Sequence, residues 1–374
     1  FATTAATPAL VNHYPKAQGP VVQSLIDAGA VVMGKANMHE LAFSPGISRS
    51  AEDEEIKYGG FGNAHNPYDL ERSPAGSSTG TAAAIGARIA PAGLGSDTGG
   101  SVRNPAAWCG ISGLRPTIQR YSQDLVVPIS WTRDTIGPMA RSVDDLILFD
   151  EVITGERDLP TLALSDLTLG INREYFCDDA DPEVVAVFDR EIERLKNAGV
   201  QVKEIEIPDL FELVAATGHA IAMYEIVRAL PKYLIASKAN VDFDQIVDQI
   251  AASSLGQKIS SIRGDQAISE EVYLKSMNET RPKLQAVYAQ CFIDNEIDAL
   301  VFPSSLTLPF NLQNPGVHRH KGQDISAFAA SGHNVQPASL CGSPGLTVAA
   351  GLTTSGLPVA LGFDGPTDSD RKLL

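Results

Sequence analysis

The sequence predicts an α/β fold. Helical and strand-like patterns alternate along the whole chain, with no internal repeat and no low-complexity tract. Apolar residues make up 44% and charged residues 20%, the balance of an ordinary globular protein. The 374 residues are ample for a buried core, arranged as one large domain or two smaller ones.

The elements follow in order. Gly19 to Ala28 reads as a helix with Val22, Leu25 and Ile26 on one face. Ala30 to Met33 is a short apolar run, expected to be a buried strand. Ser78 to Ala90 is small and alanine-rich, so a tightly packed helix is expected. Ala92 to Leu94 reads as a short strand, and Val143 to Ile153 as an amphipathic helix. Leu167 to Ile171 is strand-like. Pro182 to Ala198 is a helix with Asp181 at its start and Gly199 as its stop. Val200 to Ile207 alternates polar and apolar residues like a half-buried strand. Residues from about Leu210 to Gln290 are mostly helical by pattern. Ile297 to Phe302, Gly345 to Gly351 and Leu357 to Phe363 read as strands.

The formal net charge of -16 would repel phosphate backbones and anionic lipid, so neither nucleic acid nor a membrane surface is expected as a partner. No apolar run of the ~18 residues needed to span a bilayer stands out. Cys109, Cys177, Cys291 and Cys341 lie far apart and form no CxxC pair. That spacing suits neither a disulfide framework nor zinc, and fits a cytoplasmic protein.

The informative stretch is Ser73 to Thr117. A Gly/Ser-rich loop leads into the small-residue helix. A second glycine-rich loop, Gly95 to Ser101, then runs into Asn104-Pro105, a second helix start. Two such loops can bring two hydroxyls and several main-chain N–H groups to one point. Amide hydrolysis needs a nucleophile, a base that also protonates the leaving amine, and donors for the oxyanion. Thr98-Gly99-Gly100-Ser101 could supply nucleophile and donors together. An isolated Gly-Gly-Ser more often only builds a turn, and lone serines more often cap helices.

The whole block decides between these readings, because it resembles the amidase-signature family. Gly95-Ser96-Asp97-Thr98-Gly99-Gly100-Ser101-Val102-Arg103 and Cys109 to Thr117 match the family pattern throughout. Ser77 and Ser101 stand 24 residues apart, the family spacing, although Ala75 and Thr79 depart from the family's residue pattern. Gly34 to Glu40, Asp134 to Ser142, Pro344 to Gly351 and Gly356 to Gly362 extend the resemblance over most of the chain. It implies a single domain over residues 1–374, with a mixed sheet sandwiched between helices. It implies a Ser–Ser–Lys triad with Ser101 as nucleophile and Ser77, after a cis peptide bond, as the bridging serine. Thr98, Gly99, Gly100 and Ser101 would form the oxyanion hole, and Asp97 and Arg103 would pair beneath it. No cofactor or metal is implied; a homodimer is compatible with it.

The family lysine would precede Phe1, and Lys16 and Lys35 do not match its context. The expectation is therefore a chain shortened at its start, and also at its end after Ser369-Asp370-Arg371, that hydrolyses amides poorly as written. Arg120 to Pro138 resembles the branch of mandelamide and indoleacetamide hydrolases, which implies a small aryl-acetamide as substrate. A glutamyl-tRNA amidotransferase A-type subunit and a non-catalytic binding relative without the lysine are the alternatives.

Rival motifs carry less. Gly76-Ser77-Ser78-Thr79-Gly80 fits G-x-S-x-G with Ser78 as nucleophile and His318, His320 or His333 as base, but polar residues and Pro74 precede it where a strand is required. Gly29 to Ala36 nearly matches a P-loop but lacks the final hydroxyl. His318-Arg319-His320 reads as an exposed loop rather than a metal site. His39-Glu40 lacks the second histidine of a zincin. Trp108 and Trp131 read as core or pocket wall.

Overall fold

Ten strands and the helices between them make up the computed structural model, which describes residues 1–43, 62–250, 253–264, 266–313 and 316–374. Eight strands form one mixed sheet. They are β1 (Ala92–Asp97), β2 (Ser112–Arg115), β3 (Thr135–Ala140), β4 (Thr168–Ile171), β5 (Gln201–Glu204), β6 (Ala299–Pro303), β9 (Gly345–Leu352) and β10 (Pro358–Asp364). Their order is β1-β3-β2-β9-β10-β6-β4-β5. Pairing is antiparallel from β1 to β6 and parallel across β6, β4 and β5. β7 (Val317–His320) and β8 (Gln323–Ser326) form a separate hairpin.

Helices cover both faces. On β10, Ala360 packs with Trp108 of the helix Arg103–Trp108, while Leu361 joins the cluster of Phe188 and Ile192 from the helix Pro182–Asn197. Successive strand residues face opposite sides, so these two helices sandwich the sheet. Caps set the helix ends as the sequence indicates. Asp181 accepts from the Glu183 N–H, and Gly199 past the end has φ +103°.

Several expectations change. Ala30 to Met33 is not a strand. It pairs with no strand among the described residues, and Val31 is 86% exposed. In the helix Pro20–Asp27 the buried residue is Val21, not Ile26. His318 to His320 is a strand rather than an exposed loop, and pleating turns His320 inward. The helix Leu210–Ala236 is long and apolar enough by length and composition to cross a bilayer, which revises the reading that no stretch is. It is half buried inside the protein, with Ile221, Ile226, Leu230 and Glu225 enclosed, the environment of a core helix. β2 and β3 have no counterpart among the strands that the sequence pattern indicates.

Candidate active site

β1 ends at Asp97, and the chain turns through Thr98, Gly99, Gly100 and Ser101 into the helix Arg103–Trp108. Asp97 is fully buried and anchors this turn. Its Oδ2 accepts from Arg103 Nε at 3.1 Å and its Oδ1 from Arg115 Nη1 at 3.0 Å. Burial would raise its pKa, but Arg103 and Arg115 outweigh that and hold the carboxyl well below the usual range. Arg103 also donates to the Val335 carbonyl (2.8 Å) and to Ser339 Oγ (2.7 Å), and faces Asp364 at 3.6 Å. The pairing of Asp97 with Arg103 expected from the sequence is present, and Arg115 joins it.

Thr98 is fixed from the other side. Its hydroxyl donates to Asp134 Oδ1 (2.5 Å), whose Oδ2 accepts the Ile129 and Ser130 N–H groups, both at 2.8 Å. Burial pushes the Asp134 carboxyl up to about 6, and those hydrogen bonds limit the rise. Gly100 has φ +103°, and a Cβ there would meet Val335 Cγ2 at 2.2 Å, so only glycine fits. Its N–H donates to Asp97 Oδ1 at 2.8 Å. That proton is therefore committed inward, while no acceptor among the described residues takes the N–H of Thr98, Gly99 or Ser101.

Ser77 comes from the loop before the helix Thr79–Gly86. The Gly76–Ser77 peptide bond is cis. The two loops are joined where the Ser78 N–H donates to the Ser101 carbonyl at 3.2 Å, which places Ser77 beside the turn that carries Ser101. Ser77 is 3% exposed, and its hydroxyl has no hydrogen-bond partner among the described residues. Ser101 is only half buried. Lys35 donates to Thr3 rather than to Ser77. Ser78, the rival nucleophile, is spent on structure: its hydroxyl accepts the Ser96 N–H at 3.3 Å and packs on Gly95. No strand leads into it, and the candidate bases lie elsewhere. His333 stacks on Tyr175, and His320 lies 4.5 Å from His333, ring centre to ring centre.

Among the described residues no group of three or more His, Cys, Asp or Glu is placed to hold a metal. A cleft of about 390 Å3 opens beside the Thr98 anchor, lined by Val126, Pro128, Trp131, Asp134, Lys232 and Tyr233.

The amidase family model matches residues 1–374. The chain belongs to the amidase family. It is a hydrolase of carbon–nitrogen bonds in amides. It is 37% identical over 376 residues to an indoleacetamide hydrolase of Agrobacterium vitis, covering 100% of this chain and 78% of that relative. It is 36% identical over 384 residues to a mandelamide hydrolase of Pseudomonas putida, covering 100% and 74%. The native peptide amidase of Stenotrophomonas maltophilia superposes with a TM-score of 0.79 at 26% identity, over 100% of this chain and 77% of that one. The amidase fold thus accounts for the mixed sheet. The residues not singled out by sequence, Arg115, Arg133, Asp134 and Gln336, are those that hold the Thr98–Ser101 turn from distant elements.

Proposed function

We propose that the enzyme hydrolyses small aryl-substituted acetamides through an acyl-enzyme on Ser101. The observation that carries this is the glycine-rich turn after β1, half open at Ser101, with N–H groups at Thr98, Gly99 and Ser101 that no acceptor among the described residues takes, and the buried Ser77 hydroxyl alongside. In this reading the Ser101 Oγ attacks the amide carbon and its proton passes to Ser77 Oγ. The carbonyl oxygen gathers negative charge against the N–H groups of the turn. Ser77 returns a proton to the leaving nitrogen, ammonia departs, and water cleaves the Ser101 ester by the reverse route. The relay requires a base on Ser77, and no described side chain hydrogen-bonds that hydroxyl.

The substrate class rests on two supports. The relatives named above carry aryl-acetamide names. The cleft beside Asp134 has ample room for an aryl group, and Trp131 in its wall could stack on one. Ammonia release from phenylacetamide and from glutamine, compared for the unsubstituted enzyme and Ser101→Ala, tests the proposal. Phenylacetamide should be preferred, and Ser101→Ala should lose roughly a thousandfold or more in kcat with its melting temperature unchanged. Turnover that survives Ser101→Ala would remove the proposal. Trp131→Ala should raise KM for phenylacetamide about tenfold while leaving acetamide hydrolysis nearly unchanged.

A further inference from the structure

The Gly99–Gly100 peptide group is held at both ends. Its N–H donates to Asp97 Oδ1 at 2.8 Å, and its carbonyl accepts from Gln336 Nε2 at 3.1 Å. Gln336 begins the helix Gln336–Cys341, more than two hundred residues along the chain from Gly99. Its amide oxygen in turn accepts from Arg133 Nη2 at 3.2 Å, and Arg133 Nη1 donates to the Gly218 carbonyl at 2.9 Å. The orientation of the Gln336 amide follows from chemistry. A guanidinium only donates, so the amide oxygen must face Arg133, and the NH2 is left for the Gly99 carbonyl. Burial brings the Arg133 pKa down to about 10, so the guanidinium stays charged at neutral pH and this direction is kept.

We propose that Gln336 is a positioning residue for amide hydrolysis: by fixing the plane of the Gly99–Gly100 peptide it aims the flanking N–H groups of Gly99 and Ser101 at the carbonyl oxygen of the substrate. The inference rests on the Ser101 reading above. The geometry leaves these peptides little other freedom. A peptide group is planar, so pinning its C=O and N–H sets the ψ of Gly99 and the φ of Gly100. Glycine has no side chain to restrain either angle, and two consecutive glycines are the most mobile place in the turn. Arg115 performs a similar service two peptides upstream, since its guanidinium donates to the carbonyl of the Asp97–Thr98 peptide. The Thr98–Gly99 and Gly100–Ser101 peptides lie on either side of the clamped one, and no acceptor among the described residues takes their N–H groups. An oxyanion donor displaced by about 1 Å loses on the order of a hundredfold in rate.

The test compares Gln336→Leu, which can form neither bond, with Gln336→Glu, which can accept from Arg133 but cannot donate to Gly99 as a carboxylate. Readouts are kcat and KM for phenylacetamide, the inhibition constant of an aryl boronic acid that forms a tetrahedral adduct on Ser101, and the melting temperature. The proposal expects both variants to lose about 10- to 100-fold in kcat with KM within about twofold. Boronate affinity should fall by a matching factor, with melting temperatures close to that of the unsubstituted enzyme. If Gln336→Leu fails to fold, Gln336→Glu alone decides. A folded variant with unchanged kcat and boronate affinity, or with its loss confined to KM, overturns the proposal. Ser101→Ala run in parallel separates the two ideas. If it is inactive while Gln336→Glu is normal, only the role of Gln336 falls. If Ser101→Ala remains active, the Ser101 reading falls and the role of Gln336 with it.

Discussion

Gly76 shows how tightly single atoms are specified around this site. A Cβ built on it would lie 2.1 Å from His39 Cε1, inside the imidazole ring. The His39 N–H also donates to the Ser77 carbonyl at 3.0 Å, so main chain and ring of one residue bracket the Gly76–Ser77 segment. Gly76→Ala should therefore destabilise the protein by about 1–3 kcal/mol through overpacking, and the added substitution His39→Ala should recover a large part of that. Denaturant unfolding of the two single variants and the double variant measures the coupling; additive costs would show that the ring is not the obstacle. Much of this residue-level chemistry is local in sequence and was legible there. Asp97, Arg103, Ser77 and Ser101 all lie within one glycine-rich block. Gly100 was legible as a loop glycine but not as one whose N–H is spent on Asp97, because that depends on a side-chain rotamer. Gln336 was illegible, since nothing in its own neighbourhood marks it; Arg133 lies within the Arg120 to Pro138 stretch, but its role was not legible because only the fold brings it to Gln336 and the Gly99 peptide.

At the scale of elements, the β7–β8 hairpin is the least anticipated piece. Its strands were not expected, yet pleating turns His320 (4% exposed) against His333, with Phe211 and Tyr175 around them. Lys321, Asp178, Asp179 and His318 are the other charged or titratable groups that face the pair. Burial first, and then His320, push the His333 pKa down to about 4 from an ordinary 6.5. The unfolded chain then binds this proton more readily than the folded one. The stability associated with neutral His333 is complete above pH 6.5 and is lost as pH falls through 4. Asp134 and Asp364, both pushed up to about 6 by burial, act in the opposite sense and lose stability as pH rises toward 6. The comparison must therefore be made against His333→Gln. Between pH 6.5 and 4 the unsubstituted protein should lose on the order of 2 kcal/mol more than the variant; parallel pH profiles would contradict this. β3 is not evident from its sequence because Gly137-Pro138 argues against an inner strand, although Pro138 lies opposite Leu94 in the ladder. Ala30 to Met33 failed the other way. An apolar run reads as a buried strand, but a strand also needs a neighbour for its backbone groups, and pattern alone does not report one.

Across the whole molecule, Asp97 ties the architecture to the chemistry. It ends β1 and binds Arg103 of the next helix and Arg115 of β2. Through Arg103 it reaches Asp364 at the end of β10 and the Val335 and Ser339 segment. Two arginines and two carboxylates thus share a dry centre, where removing one charge leaves the others uncompensated. Asp97→Asn should cost about 3–5 kcal/mol in unfolding free energy and disorder the Thr98–Ser101 turn; a loss below about 1 kcal/mol by chemical denaturation would show that the network is not central. The alternating α/β pattern and the family resemblance were enough to anticipate a mixed sheet between helices. The strand order was not, because it depends on which distant segments pair. The acyl-enzyme is a covalent species that mass spectrometry detects. After acid quench during turnover of a slowly deacylating aryl-acetic ester or amide, one acyl group is expected at Ser101, in the peptide that ends at Arg103. An acyl group on Ser78 or another side chain, or full turnover with no covalent species even in the steady state of the slowest substrate, would contradict it.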